Sequence, residues 1–101
     1  MPRQAESGRA QITGLLEACP SIVWHWCRDG LNCQGSPGMP DLIVCGPRGV
    51  LFREVKPPHR GPRPGQVNWK YKLKSAGASW AVWTLDDLES GLIEAELDAI
   101  S

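Results

Sequence analysis

This chain has no long hydrophobic run. Nothing in its 101 residues approaches the roughly 20 apolar residues that span a bilayer. Its opening Met1-Pro2-Arg3-Gln4-Ala5-Glu6 lacks the apolar core of a signal peptide. Both absences lead to the expectation of a cytoplasmic protein with no membrane partner. There is no internal repeat and no low-complexity tract, which argues against a solenoid or a compositionally disordered chain. Acids are scarce where bases gather, and bases are absent where acids gather. Residues 48 to 74 hold eight of the eleven Lys/Arg (Arg48, Arg53, Lys56, Arg60, Arg63, Lys70, Lys72 and Lys74) and one acid, Glu54. Residues 85 to 101 hold six acids and no Lys or Arg. A net charge of zero conceals that segregation. The basic middle favours a polyanionic partner; two solvated faces of opposite sign are the bland alternative. Cys19, Cys27, Cys33 and Cys45 are expected to stay reduced in a cytosolic chain. Cys27, Cys33 and His25 match no common zinc framework, which uses Cys pairs separated by two to four residues.

Hydrophobic content of 42% and charged content of 22% are ordinary for a globular protein. The length suits a single domain over residues 1–101 with one core. The organising stretch runs from Gly38 to Lys56. Two short apolar runs flank Gly46-Pro47-Arg48-Gly49, the pattern of a β-hairpin with a loop of about four residues. Asp41 opens the first strand; Glu54 and Lys56 close the second and share a face, because side chains alternate with period two. The hairpin folds Asp41 back beside Glu54 and Lys56. Two hard carboxylates suit a divalent cation such as Mg²⁺ or Mn²⁺. A lysine beside them suits orientation of an attacking water and neutralisation of developing charge, with a phosphodiester as the fitting electrophile. A plain Glu-x-Lys salt bridge is the simpler reading of Glu54 and Lys56 alone. Asp41 at hairpin distance shifts the balance toward a site.

Around the hairpin, residues 4 to 18 read as a helix with Ile12, Leu15, Leu16 and Cys19 on one stripe. Residues 21 to 27 read as a strand placing Trp24 and Trp26 on one face, with Val23, His25 and Cys27 on the other. Residues 28 to 39 form a Gly-rich loop leading into Asp41. After Lys56, three prolines end the strand, and Arg60 and Arg63 lie where they would hold a phosphate backbone. Pro64 starts a helix to about Ala76 with Gly77 closing it; Gln66, Trp69, Lys70 and Leu73 share one side, and Lys70 is a further phosphate candidate. Residues 78 to 84 read as the last strand. Thr84 and Asp87 have the spacing of a capping box for a final helix over 85 to 99, with Leu88, Leu92, Ile93, Leu97 and Ile100 as its apolar side. A strand–helix–strand crossover after residue 56 implies a parallel pair. The expected fold is therefore an α/β domain with a mixed four-stranded sheet.

Gly38-x-Pro40-Asp41-Leu42, then Glu54-Val55-Lys56, then Gln66-x-x-Trp69 and Gly77 resemble the VRR-NUC group of the PD-(D/E)xK nuclease superfamily. The similarity is closest to its small stand-alone members, many of them from phages, and extends over about residues 10 to 98. It implies a restriction-endonuclease-like αβββαβ core with a C-terminal helix. It implies a metal-dependent DNA endonuclease, acting on branched or junction DNA in some members and homodimeric in the small ones; a phage protein would work in the host cytoplasm. Asp41, Glu54, Lys56 and Gln66 would be the catalytic residues. The metal would sit on Asp41, Glu54 and the Val55 carbonyl, and Gln66 would hydrogen-bond near Lys56. The family also places an acid on the first helix. Here the matching register falls near Ala10, leaving Glu6, one turn earlier, and Glu17 as candidates. A catalytically silent nucleic-acid binder with the same fold is the alternative.

Overall fold

The computed structural model describes residues 4–27, 35–56 and 64–101, with no description of the side chains of residues 4–7 and 64. In chain order the elements are α1 (Gln4–Glu17), β1 (Val23–Trp26), β2 (Leu42–Gly46), β3 (Gly49–Val55), α2 (Pro64–Ser75), β4 (Ser79–Trp83), α3 (Leu85–Glu89) and α4 (Leu92–Ile100). The sheet order is β1-β2-β3-β4. The first two pairings are antiparallel, and β3 runs parallel to β4 across the α2 connection. This is the mixed four-stranded sheet expected from the sequence.

Period-two alternation divides the sheet into two faces. Leu42, Val44, Leu51 and Trp83 point to one side and are buried with Ile12 and Leu16 of α1 and Ile93, Leu97 and Ile100 of α4. Trp24 and Trp26 lean on the same core, while Val23 and His25 are exposed. The other face carries Glu54, and α2 reaches it there through Gln66. Helix α2 ends as Gly77 and Ala78 donate back to the carbonyls of Lys74 and Leu73, at 3.0 and 2.9 Å, the double bond of a Schellman motif. The three described cysteines, Cys19, Cys27 and Cys45, are free thiols. Among the described residues no helix is long and apolar enough to cross a membrane.

Three local expectations change. The hairpin loop is two residues, because pairing continues to Gly46 and Gly49. The Arg48 amide then donates to the Ile100 carbonyl at 3.1 Å, tying the turn to the end of α4. The last helix is two helices. Thr84 and Asp87 do form the capping box, but Gly91 at φ +86° sits in the left-handed region and breaks the run. The break changes the helical phase, so Leu92 is 43% exposed instead of lining the core.

Arg53, counted with the basic stretch, does not face solvent. It is 3% exposed and lies on the core side of β3. Its guanidinium donates to Glu96 Oε1 from Nη2 at 2.9 Å and from Nε at 3.1 Å, and to the Ser79 carbonyl at 2.8 Å. Trp83 Nε1 donates to the same Glu96 oxygen at 2.8 Å. One acid of the C-terminal run thus pins α4 to the sheet. Glu96→Ala should strand a buried guanidinium and an indole N–H. The expected cost is about 2–4 kcal/mol, somewhat below that of a fully buried pair because Glu96 is partly hydrated. Urea unfolding measures it; a loss under about 0.5 kcal/mol would reduce the pair to a surface bridge.

Candidate active site

Four residues named from the sequence converge where β2 begins and β3 ends. Pro40 is fully buried and leads into Asp41. Leu42 pairs with Arg53, so Asp41 lies opposite Glu54. Asp41 Oδ2 accepts the Val55 amide at 3.0 Å. The N–H and C=O of a strand residue point to the same edge, so the Val55 carbonyl also faces the Asp41 side. The Lys56 amide donates to the Trp83 carbonyl at 3.0 Å, extending the β3–β4 ladder by one residue. This holds the Lys56 side chain on the Glu54 face, where it is 8% exposed. Gln66, in the first turn of α2, is also buried.

Glu54 is completely buried. Its Oε1 accepts from Gln66 Nε2 at 3.0 Å. Its Oε2 is buried with no hydrogen-bond partner. Burial and then the neighbouring charge of Asp41 push its pKa from 4.5 to about 8, against the opposing pull of Lys56. Burial keeps an ionised carboxylate costly there even with Lys56 nearby, and an orphaned buried oxygen is rare in a folded protein. A divalent cation answers both conditions. Hard oxygen donors from Asp41 and Glu54, completed by a main-chain carbonyl and water, suit Mg²⁺ or Mn²⁺. Among the described residues no cluster of three or more His, Cys, Asp or Glu assembles; Asp41 and Glu54 are the carboxylates brought together there.

The remaining candidates divide. The Glu6 side chain and all of Arg60 and Arg63 lie outside the described residues. Ala10 and Glu17 are exposed on α1. Lys70 does not join the trio. Its ammonium lies 5.3 Å from the Trp80 ring centroid and 5.6 Å from that of Tyr71. One hydrogen bond from Gln66 goes to Glu54, on the strand face that also carries Lys56. A further contact has no counterpart in the sequence pattern: Trp69 Nε1 donates to the Ser36 carbonyl at 3.1 Å, joining the loop before Asp41 to α2. Such a bond to a main-chain oxygen leaves no residue-type signature.

No family model and no curated protein matches the sequence. A solved structure described as "VRR_NUC domain" superposes with a TM-score of 0.68 at 24% identity, covering 88% of this chain and 94% of its own. The likeness is one of fold: this chain's α/β domain, with its mixed four-stranded sheet and C-terminal helix, has the fold of a VRR_NUC domain.

Proposed function

We propose that this chain is a metal-dependent DNA endonuclease that hydrolyses phosphodiester bonds. One observation carries the reading: Glu54 is fully buried against Asp41 with an unpartnered oxygen, and Lys56 stands on the same strand face. Stability alone does not favour such a cluster, because Asp41 repels the Glu54 carboxylate and burial penalises its charge, against the partial offset of Lys56. Asp41, Glu54 and the Val55 carbonyl would hold Mg²⁺ or Mn²⁺. When bound, the ion supplies Lewis-acid stabilisation of charge developing on the scissile phosphate. Gln66 holds the Glu54 carboxylate in place. Lys56 orients the attacking water through its ammonium and offsets negative charge in the transition state. The likeness of fold to a VRR_NUC domain supports a nuclease; selectivity for branched or junction DNA and a homodimeric working unit belong to the same proposal and rest on the resemblance of the sequence motifs alone. Incubating the pure protein with plasmid, flap and four-way-junction DNA, in Mg²⁺, Mn²⁺ or chelator, tests it. Cleavage in metal alone is the expected result.

The second reading, a catalytically silent nucleic-acid binder, draws on the absence of a third carboxylate among the described residues. Protein that binds DNA and cuts none with either metal would establish it. Under both readings binding should depend steeply on salt, because each phosphate contact releases counterions. Neutralising Arg60, Arg63 and Lys70 together should weaken binding to all sequences. It should also flatten the plot of log affinity against log salt by as much as about 3. A slope unchanged in the triple variant places the DNA on another face.

A further inference from the structure

The loop before Asp41 crosses the first turn of α2 with no side chain between the two backbones. Gly38 has φ +92°, and a Cβ there would lie 2.2 Å from the Gly65 carbonyl carbon and 2.4 Å from the Gln66 amide nitrogen. From the other side, a Cβ on Gly65 would lie 3.0 Å from the Pro37 oxygen. The bond from Trp69 Nε1 to the Ser36 carbonyl closes the same crossing one turn along α2. Two active-site residues leave this point. Three residues after Gly38 comes Asp41, and immediately after Gly65 comes Gln66, whose amide holds Glu54 Oε1 at 3.0 Å.

We infer that the Gly38–Gly65 backbone crossing is a positioning device, in which two side-chain-free residues let α2 come close enough to seat Gln66 on Glu54. The inference rests on the nuclease reading above for its catalytic consequence. A methyl group on Gly38 would have to drive the two backbones apart by roughly 1.5 Å to reach ordinary contact distance. Such a displacement breaks a 3.0 Å hydrogen bond and releases the Glu54 carboxylate from its fixed orientation.

Gly38→Ala should slow Mn²⁺-supported cleavage about 100-fold, while DNA affinity in chelator stays within about twofold. Gly38 acts through Gln66, so adding Gly38→Ala to Gln66→Ala should slow cleavage no further. Gly91→Ala carries similar left-handed strain at φ +86° with open space around it, and should cut at the wild-type rate. A Gly38→Ala protein that cuts normally overturns the inference. So does a double variant whose loss is the product of the two single losses. If Gly38→Ala does not fold, Gly65→Ala, with its milder contact, goes through the same cycle. A second readout needs no catalysis. In ¹⁵N-labelled Gly65→Ala the side-chain amide resonances of Gln66 should move toward those of a solvated glutamine; unmoved resonances refute the seating. If the wild type cuts no DNA with any metal, the nuclease reading fails, and the amide shift still decides what the crossing does.

Discussion

Lys56→Ala should bind DNA nearly as well as the wild type and cut it on the order of 100- to 1,000-fold more slowly. The separation follows from where the lysine sits. It lies on the Glu54 face of β3, almost entirely buried, at the point where Asp41 and Glu54 would hold the ion. An ammonium at the reacting phosphate acts on charge that exists only in the transition state, so its removal is felt in rate. Binding is spread over many phosphates, so one lysine contributes a small part of it. Arg at this position should rescue only partly, because a guanidinium is bulkier and presents its donors in a planar fork. Single-turnover cleavage beside a binding titration in chelator measures both quantities. Equal small losses in each would make Lys56 a phosphate contact and nothing more.

Metal-free protein should lose stability as pH rises from about 4.5 toward 8. The sign follows from the Glu54 proton. The folded state holds it up to about pH 8 and the unfolded chain releases it near 4.5. Between those values the unfolded state binds fewer protons, so the free energy of unfolding falls with pH. The penalty is absent below the lower value and complete above the upper one. At about 1.4 kcal/mol per pKa unit, it reaches up to ~5 kcal/mol. Mn²⁺ should reverse the loss at pH 8, since a ligand that binds only the folded state stabilises it by mass action. Glu54→Gln keeps an oxygen for Gln66 to donate to and removes the charge. It should flatten the pH profile, make the metal-free protein more stable at pH 8, and abolish stabilisation by Mn²⁺. Urea unfolding at pH 5, 6.5 and 8 in chelator reads all three effects. A wild-type profile as flat as that of Glu54→Gln would place the proton elsewhere.

The sequence by itself determined the order of elements, the face of each strand and the meeting of Asp41 with Glu54 and Lys56. All of these follow from local rules. Period-two alternation puts Glu54 and Lys56 on one side, and a hairpin returns its second strand beside the start of its first. Thr84 and Asp87 announce a cap because capping is a contact three residues long. Tertiary structure alone decided which charges face water. Arg53 looks like one more base of a basic stretch, yet pairing with Glu96, 43 residues away, takes it into the interior. The final helix breaks at Gly91 although its apolar spacing reads through, because a helical stripe records period and not where packing interrupts it. The Gly38–Gly65 approach and the bond from Gln66 to Glu54, 12 residues apart, join different elements beyond the reach of any local rule. Local preference sets which way a side chain points on its own element, and only packing between elements sets what it meets.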